Sequence, residues 1–168
     1  MKAVVVYESH FGNTAAVARA IAEGIGDARA LNTDEATPEA IDDAELIVAG
    51  APVIAFGLSR DGMKAQIEAA ADKAPTHPDV AHPLLRTWLD RLPPGPRLGA
   101  AFETRIWWSP RGATGTIESR MKRIGYRIAG KPERFIVAGG YGPLRDGELD
   151  RARVWGASLA KAAGIPSN

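Results

Sequence analysis

Six consecutive residues, Ser9-His10-Phe11-Gly12-Asn13-Thr14, carry the most chemically pointed pattern in the chain. Gly12 lets the backbone approach a ligand closely or adopt positive φ. Ser9, Asn13 and Thr14 offer side-chain donors, and a helix starting just after the loop would aim its free N–H groups and the positive end of its dipole at the same point. That combination suits a phosphate dianion. No Lys or Arg stands between Lys2 and Arg19, so an anion here would be held by dipoles and hydrogen bonds instead of ion pairing. The loop lacks the Gly-Lys-Ser/Thr of a nucleoside-triphosphate cradle and, with one glycine, the dinucleotide fingerprint. The same six residues would also serve as a plain strand-to-helix turn.

Other reactive chemistry is sparse. With no cysteine among 168 residues, disulfides, iron–sulfur clusters, thiolate zinc sites and thiol nucleophiles are excluded. The three histidines, His10, His77 and His82, are too scattered for a metal site. No apolar run approaches the ~18 residues of a membrane span, and the short Ala3–Val6 stretch ends at Glu8 before resembling a leader, so membrane insertion is not expected and a cytoplasmic protein is. Net charge is +1, yet residues 1–84 hold 6 Lys+Arg against 13 Asp+Glu while residues 85–168 hold 15 against 7. The basic excess belongs either to solvated helix faces or to the rim of a site. Basic residues are not interleaved with aromatics, so nucleic-acid binding is not indicated.

The elements that must position the loop follow from periodicity. Residues 2–8 form a short, β-branched, continuously apolar run, the pattern of a strand buried on both faces. Val17, Ile21 and Ile25 mark a helix over 14–26. A weak strand at 28–31, a helix start at Thr37-Pro38, a buried strand at 45–51 and a helix within 61–71 follow. Residues 74–83, with three prolines, read as a loop, and 84–92 as a helix with Trp88 on its buried side. A strand at 98–102, a loop at 104–115, a helix at 116–125 and a strand at 135–138 precede a last helix, capped by Asp146, carrying Trp155 and closed by Gly164 and Pro166. Alternating strands and helices imply one α/β domain over 1–168: a doubly wound, five-stranded parallel sheet of order 2-1-3-4-5 with helices on both faces. Ligands in that architecture sit beyond the carboxyl ends of the strands, which directs attention to loops 8–14, 52–59 and 104–115.

Tyr7-Glu8-Ser9-His10-Phe11-Gly12-Asn13-Thr14 resembles the FMN-phosphate loop of the flavodoxin-like family, Ser/Thr-x-Thr-Gly-x-Thr. Ser9, Gly12 and Thr14 match, and Phe11 replaces the middle threonine. Gly50-Ala51-Pro52, Phe56-Gly57-Leu58-Ser59-Arg60, Phe102-Glu103-Thr104-Arg105 and Gly142-Pro143-Leu144 extend the likeness to short flavodoxin-domain proteins of actinobacterial type. The resemblance implies FMN as cofactor, with Ser9, His10, Phe11, Gly12, Asn13 and Thr14 around its phosphate. Pro52, Val53, Ile54, Phe56, Gly57, Thr104, Arg105, Trp107 and Trp108 would surround its ring. Phe56, Trp107 and Trp108 are candidates to stack on that ring, with one of the adjacent tryptophans expected to be structural. Gly57 is where the family reorients a peptide toward the flavin. Val53-Ile54 is more apolar than in the relatives and supplies fewer side-chain donors. Arg105 and Arg111 either point into solvent or lie near the ring, where a cation would favour a negatively charged reduced flavin and a milder reductant.

The implied function is electron transfer through bound flavin, with a redox partner protein or a small quinone or nicotinamide exchanging electrons. No protein-borne catalytic acid, base or nucleophile is then required. A flavin-dependent quinone or NAD(P)H oxidoreductase, and a cofactor-free binding module on the same scaffold, are the alternatives. A phosphoacceptor receiver is disfavoured, because Gly50-Ala51-Pro52 occupies the place of its aspartate.

Overall fold

The computed structural model describes residues 2–165. Its strands are β1 (Lys2–Tyr7), β2 (Ala28–Asn32), β3 (Ala44–Pro52), β4 (Leu98–Ile106), β5 (Arg127–Ile128) and β6 (Glu133–Val137). The helices are α1 (Asn13–Ile25), α2 (Met63–Ala69, continued by a 3₁₀ turn at Ala70–Lys73), α3 (Leu85–Leu89), α4 (Thr114–Arg123) and α5 (Glu148–Ala163). All strand pairings are parallel. The order is β2-β1-β3-β4, and the fifth place is shared. β5 pairs with Leu98 and Gly99 of β4, while β6 pairs with Phe102 through Ile106. The expected 2-1-3-4-5 sheet is therefore present, with its outer strand in two pieces.

Strand side chains alternate between faces, and each face meets its own helices. Ala3, Val5, Val48 and Phe102 pack under α1 and α5 with Ile21, Trp155 and Leu159. Val4, Val6, Ile47 and Ala101 pack under α3 and α4 with Leu85, Trp88, Ile117 and Met121. Burial on both faces explains why β1 and β3 read as unbroken apolar runs. Trp88 and Trp155 are core residues, as expected. Each also finds a polar partner for its indole N–H, the Ala36 carbonyl at 2.8 Å and the Lys131 carbonyl at 3.2 Å. The α1–α5 contact is very close: Gly24 lies against the Arg153 carbonyl and Gly156 against the Ile21 carbonyl, leaving no room for a Cβ at either place.

Several local expectations change. Thr37-Pro38 opens a series of turns, not a helix; the segment returns to β3 through Ala44, with Ile41 and Ala36 buried. α3 is only five residues long. β4 runs to Ile106, so Glu103, Thr104 and Arg105 are strand residues and not loop. Asp146 does not cap α5: Gly147 occupies the N-cap at φ 83° with no side-chain cap. The buried Glu148 carboxylate instead accepts the Ile136 N–H at 2.7 Å and is paired with Arg151. Gly164 closes α5 as expected, at φ 74°, and Pro166 lies outside the described residues.

Candidate functional site at the carboxyl edge of the sheet

β1 hands over to α1 through a loop folded around its own serine. Glu8 extends the ladder by one bond, its N–H donating to the Gly50 carbonyl at 3.0 Å. Ser9 Oγ then accepts the Gly12 and Ala15 amides at 3.2 and 3.3 Å. Gly12 turns the chain at φ 90°, a conformation that strains any residue with a Cβ. The amides of Ser9, His10, Phe11, Asn13 and Thr14 meet no acceptor among the described residues. Unpaired donors at the start of a thirteen-residue helix are the material of an anion cradle.

This loop is sewn to its neighbours. Thr14 Oγ1 lies 2.7 Å from Thr104 Oγ1, both buried, which joins the loop to β4. Asn13 Nδ2 donates to the Tyr141 carbonyl at 3.2 Å, and Gly142, at φ 98°, sits so near that a Cβ would stand 2.6 Å from that nitrogen. Phe11 meets Tyr141 edge to face at 5.0 Å. The chain between β6 and α5 is thus a fourth wall that the sequence reading did not assign. The signal for it was Gly139-Gly140 with Gly142-Pro143 after a buried strand.

A cavity of about 120 Å³ opens where these loops meet. Ser9, His10, Phe11, Asn13 and Thr14 line one side. Pro52, Val53 and Ile54 with Thr104 and Arg105 line another, and Val137 and Gly140 complete it. The Val53 amide is spent on the Thr104 carbonyl at 2.9 Å. Phe56 and Gly57 do not reach this cavity. They belong to a tight turn in which Ile54 and Gly57 exchange backbone hydrogen bonds at 3.0 and 3.1 Å. Ala55 (φ 47°) and Phe56 (φ 66°) take its two left-handed positions, the demand of a two-residue hairpin turn. Gly57 closes the turn without taking a left-handed conformation. Trp107 and Trp108 are both exposed, at 66% and 57%, so neither is structural; Trp108 meets Phe56 edge to face at 6.3 Å. All three aromatics are exposed and none of them lines the cavity.

No family model and no curated protein matches the chain. Solved structures do. A flavodoxin from the domain Archaea superposes with a TM-score of 0.67 at 25% identity, covering 98% of this chain and 99% of that one. Oxidised flavodoxin 1 from Bacillus cereus gives 0.67 at 15% identity over 96% and 98%. A flavodoxin, WrbA-like protein from Agrobacterium tumefaciens gives 0.60 at 20% identity, over 97% of each chain. The fold is flavodoxin-like.

Two buried ion pairs flank the cavity, and neither was visible in the sequence. His10 is buried, with Nε2 2.9 Å from Glu8 Oε1 and Nδ1 2.6 Å from the Asp79 carbonyl. Burial pushes the imidazole pKa down, but the hydrogen bonds to Glu8 and to the Asp79 carbonyl, with the nearby negative charges, outweigh it and leave it raised. Both partners can only accept, so the ring satisfies both only as the imidazolium. Glu8 Oε2 also accepts the Leu85 amide at 3.1 Å. The Asp79 amide returns a bond to the His10 carbonyl at 2.8 Å, which anchors the 74–83 excursion on the loop. The loop therefore does contain a cation, matched by its own carboxylate.

Arg105 requires a similar correction. It is buried, pairs through Nη1 with Glu103 Oε1 at 3.1 Å, and donates from Nη2 to the Ser109 carbonyl. It is neither a solvent arginine nor a free cation for tuning a ring, because Glu103 cancels its charge at contact range. Glu103 has a second task. Its Oε2 accepts the Ala113 and Thr114 amides at 2.6 and 3.0 Å, capping α4 from the end of the neighbouring strand. Gly112 lies so close to this carboxylate that no Cβ fits there.

Proposed function

We propose that the chain, as one flavodoxin-like unit over residues 1–168, binds FMN at the carboxyl edge of its sheet. On this reading it works in the cytoplasm, passing electrons to a partner protein or a small quinone or nicotinamide. The observation that carries the reading is the set of unpaired amides of Ser9, His10, Phe11, Asn13 and Thr14 at the head of α1, beside a cavity that three further loops line. The donor set fits a phosphoryl group: unpaired backbone N–H groups stand at the positive end of the α1 dipole. Ser9 shapes the loop, Gly12 supplies the left-handed turn, and Asn13 and Thr14 lock it to the opposite walls. Pro52, Val53, Ile54 and Thr104 line the cavity beside it. Bound FMN would supply the redox chemistry. The similar solved structures include flavodoxins and, over 36% of its length, a flavodiiron core from Synechocystis sp. PCC6803, which supports an electron-transfer role.

Comparing FMN with riboflavin tests the proposal, since the two differ only in the phosphate. Hydrogen bonds to a charged group contribute roughly 1.5–3 kcal/mol each. Two of them make FMN about 10²- to 10⁴-fold tighter in a calorimetric titration. Equal affinities for FMN and riboflavin, or no heat with either, would remove the phosphate cradle and the redox reading with it.

A further inference from the structure

Beyond the Ile54–Gly57 turn lies a separate cavity of about 410 Å³ whose lining includes Arg60, Arg86 and Arg111 and contains no Asp or Glu. Arg86 is fixed in place: Nε donates to the Ser59 carbonyl at 3.1 Å and Nη2 to the Leu58 carbonyl at 3.2 Å. Its Nη1 has no acceptor among the described residues. None of the three guanidinium groups has a carboxylate within 4.0 Å among the described residues. Arg97, Arg105, Arg120, Arg151 and Arg153 each have one; what sets Arg60, Arg86 and Arg111 apart from the other unpaired arginines is that all three line one cavity. Burial, followed by the neighbouring Arg120 and Arg60 charges, lowers the Arg86 pKa, with Asp90 and Asp61 pulling the other way.

Keeping like charges together with Asp61 and Asp90 only beyond contact range raises the energy of the free protein and leaves a site that gains when an anion enters. Four features narrow the anion. The site is concave and of the size that holds small molecules, unlike a flat protein-docking face. Guanidinium forks match phosphoryl oxygens two at a time, and three forks exceed what a single phosphate needs. The Thr116 hydroxyl adds a neutral donor on the α4 side. Phe56, which lines the cavity, and Trp108 beside it expose aromatic surface to which a ring attached to the anion could stack.

We propose that this cavity is an anion site for the diphosphate group of a small phosphorylated molecule, distinct from the Ser9–Thr14 loop. The inference rests on the unpaired arginines alone and stands whether or not FMN binds. Its test is calorimetric titration of the full chain with sodium pyrophosphate and, separately, with ADP, each at low and at 0.3 M salt, with and without excess FMN. Saturable pyrophosphate binding is expected, weaker at high salt and unchanged by FMN. Arg60→Ala and Arg111→Ala should each weaken it about 10-fold or more. Both side chains are exposed, so circular dichroism should show the variants folded. ADP binding tighter than pyrophosphate would assign a nucleotide as the source, and equal binding a free diphosphate. No saturable heat at low salt, affinity undiminished in the Arg60→Ala/Arg111→Ala double variant, or loss of the signal on adding FMN would each overturn the proposal.

Discussion

Replacing Glu103 with leucine isolates what the carboxylate at the end of β4 contributes. Glu103 accepts three N–H groups: Arg105 Nη1 at 3.1 Å, Ala113 at 2.6 Å and Thr114 at 3.0 Å. Glu103→Leu leaves a buried guanidinium whose one remaining acceptor is the Ser109 carbonyl, with Nε already unpartnered. Breaking a buried pair from one side costs about 3–5 kcal/mol, and that span already contains the roughly 1 kcal/mol of a lost cap. We expect a loss of about 4 kcal/mol, or a fall in Tm of roughly 8–16 °C for a chain of this size. Arg105→Met alone should cost less, because the carboxylate keeps its two amide donors. In the double variant no stranded charge remains, and about 2 kcal/mol of the Glu103→Leu loss should return. Urea titration followed by tryptophan fluorescence reads all three. A Glu103→Leu loss below about 1 kcal/mol, or a double variant less stable than Glu103→Leu, would refute the pairing as described.

Gly24→Ala should destabilise by more than about 2 kcal/mol although alanine favours helix by about 1 kcal/mol, because its Cβ meets the Arg153 backbone carbonyl; thermal melts check this. Gly142→Ala should weaken FMN binding several-fold with little loss of secondary structure, since φ 98° and the Asn13 side chain both oppose a Cβ, and calorimetry reads the change. His10 has its pKa raised in the fold, so its ion pair contributes fully below the unfolded value of ~6.5 and the contribution fades as pH rises through the folded value. The stability gap between the protein and a His10→Gln variant should therefore be widest near pH 5.5–6 and narrow toward pH 9 in parallel urea titrations.

The central strands and α1 were legible because burial on two faces, or one stripe, writes itself into residue type. Val4–Val6 and Leu46–Val48 could be little else. Where tertiary contacts override local pattern, legibility ended. Glu103 and Arg105 look like loop residues until each is seen to neutralise the other inside β4. Thr37-Pro38 carries a helix-start signal, yet the chain has only a few residues in which to reach β3. The phosphate-type loop was readable from Ser9, Gly12 and Thr14, whereas the Glu8–His10 pair depends on Asp79, 69 positions away, and no local spacing announces it. Adjacent Trp107 and Trp108 suggested one inward ring; both face outward because β4 ends at Ile106 and the chain leaves the sheet there.

The division of the outer strand has a consequence for how these molecules behave in a crowd. Cross-molecular strand addition needs a long, flat, unpaired row of backbone groups to copy. On the β5/β6 side that row is broken after two residues at Ile128, passes through Ala129-Gly130-Lys131-Pro132, and resumes for only five. Pro132 has no amide to offer, and Arg127 and Arg134 place positive charge along the remaining template. Neighbouring copies thus find little to extend on this edge, which leaves β2 at the opposite edge as the open template.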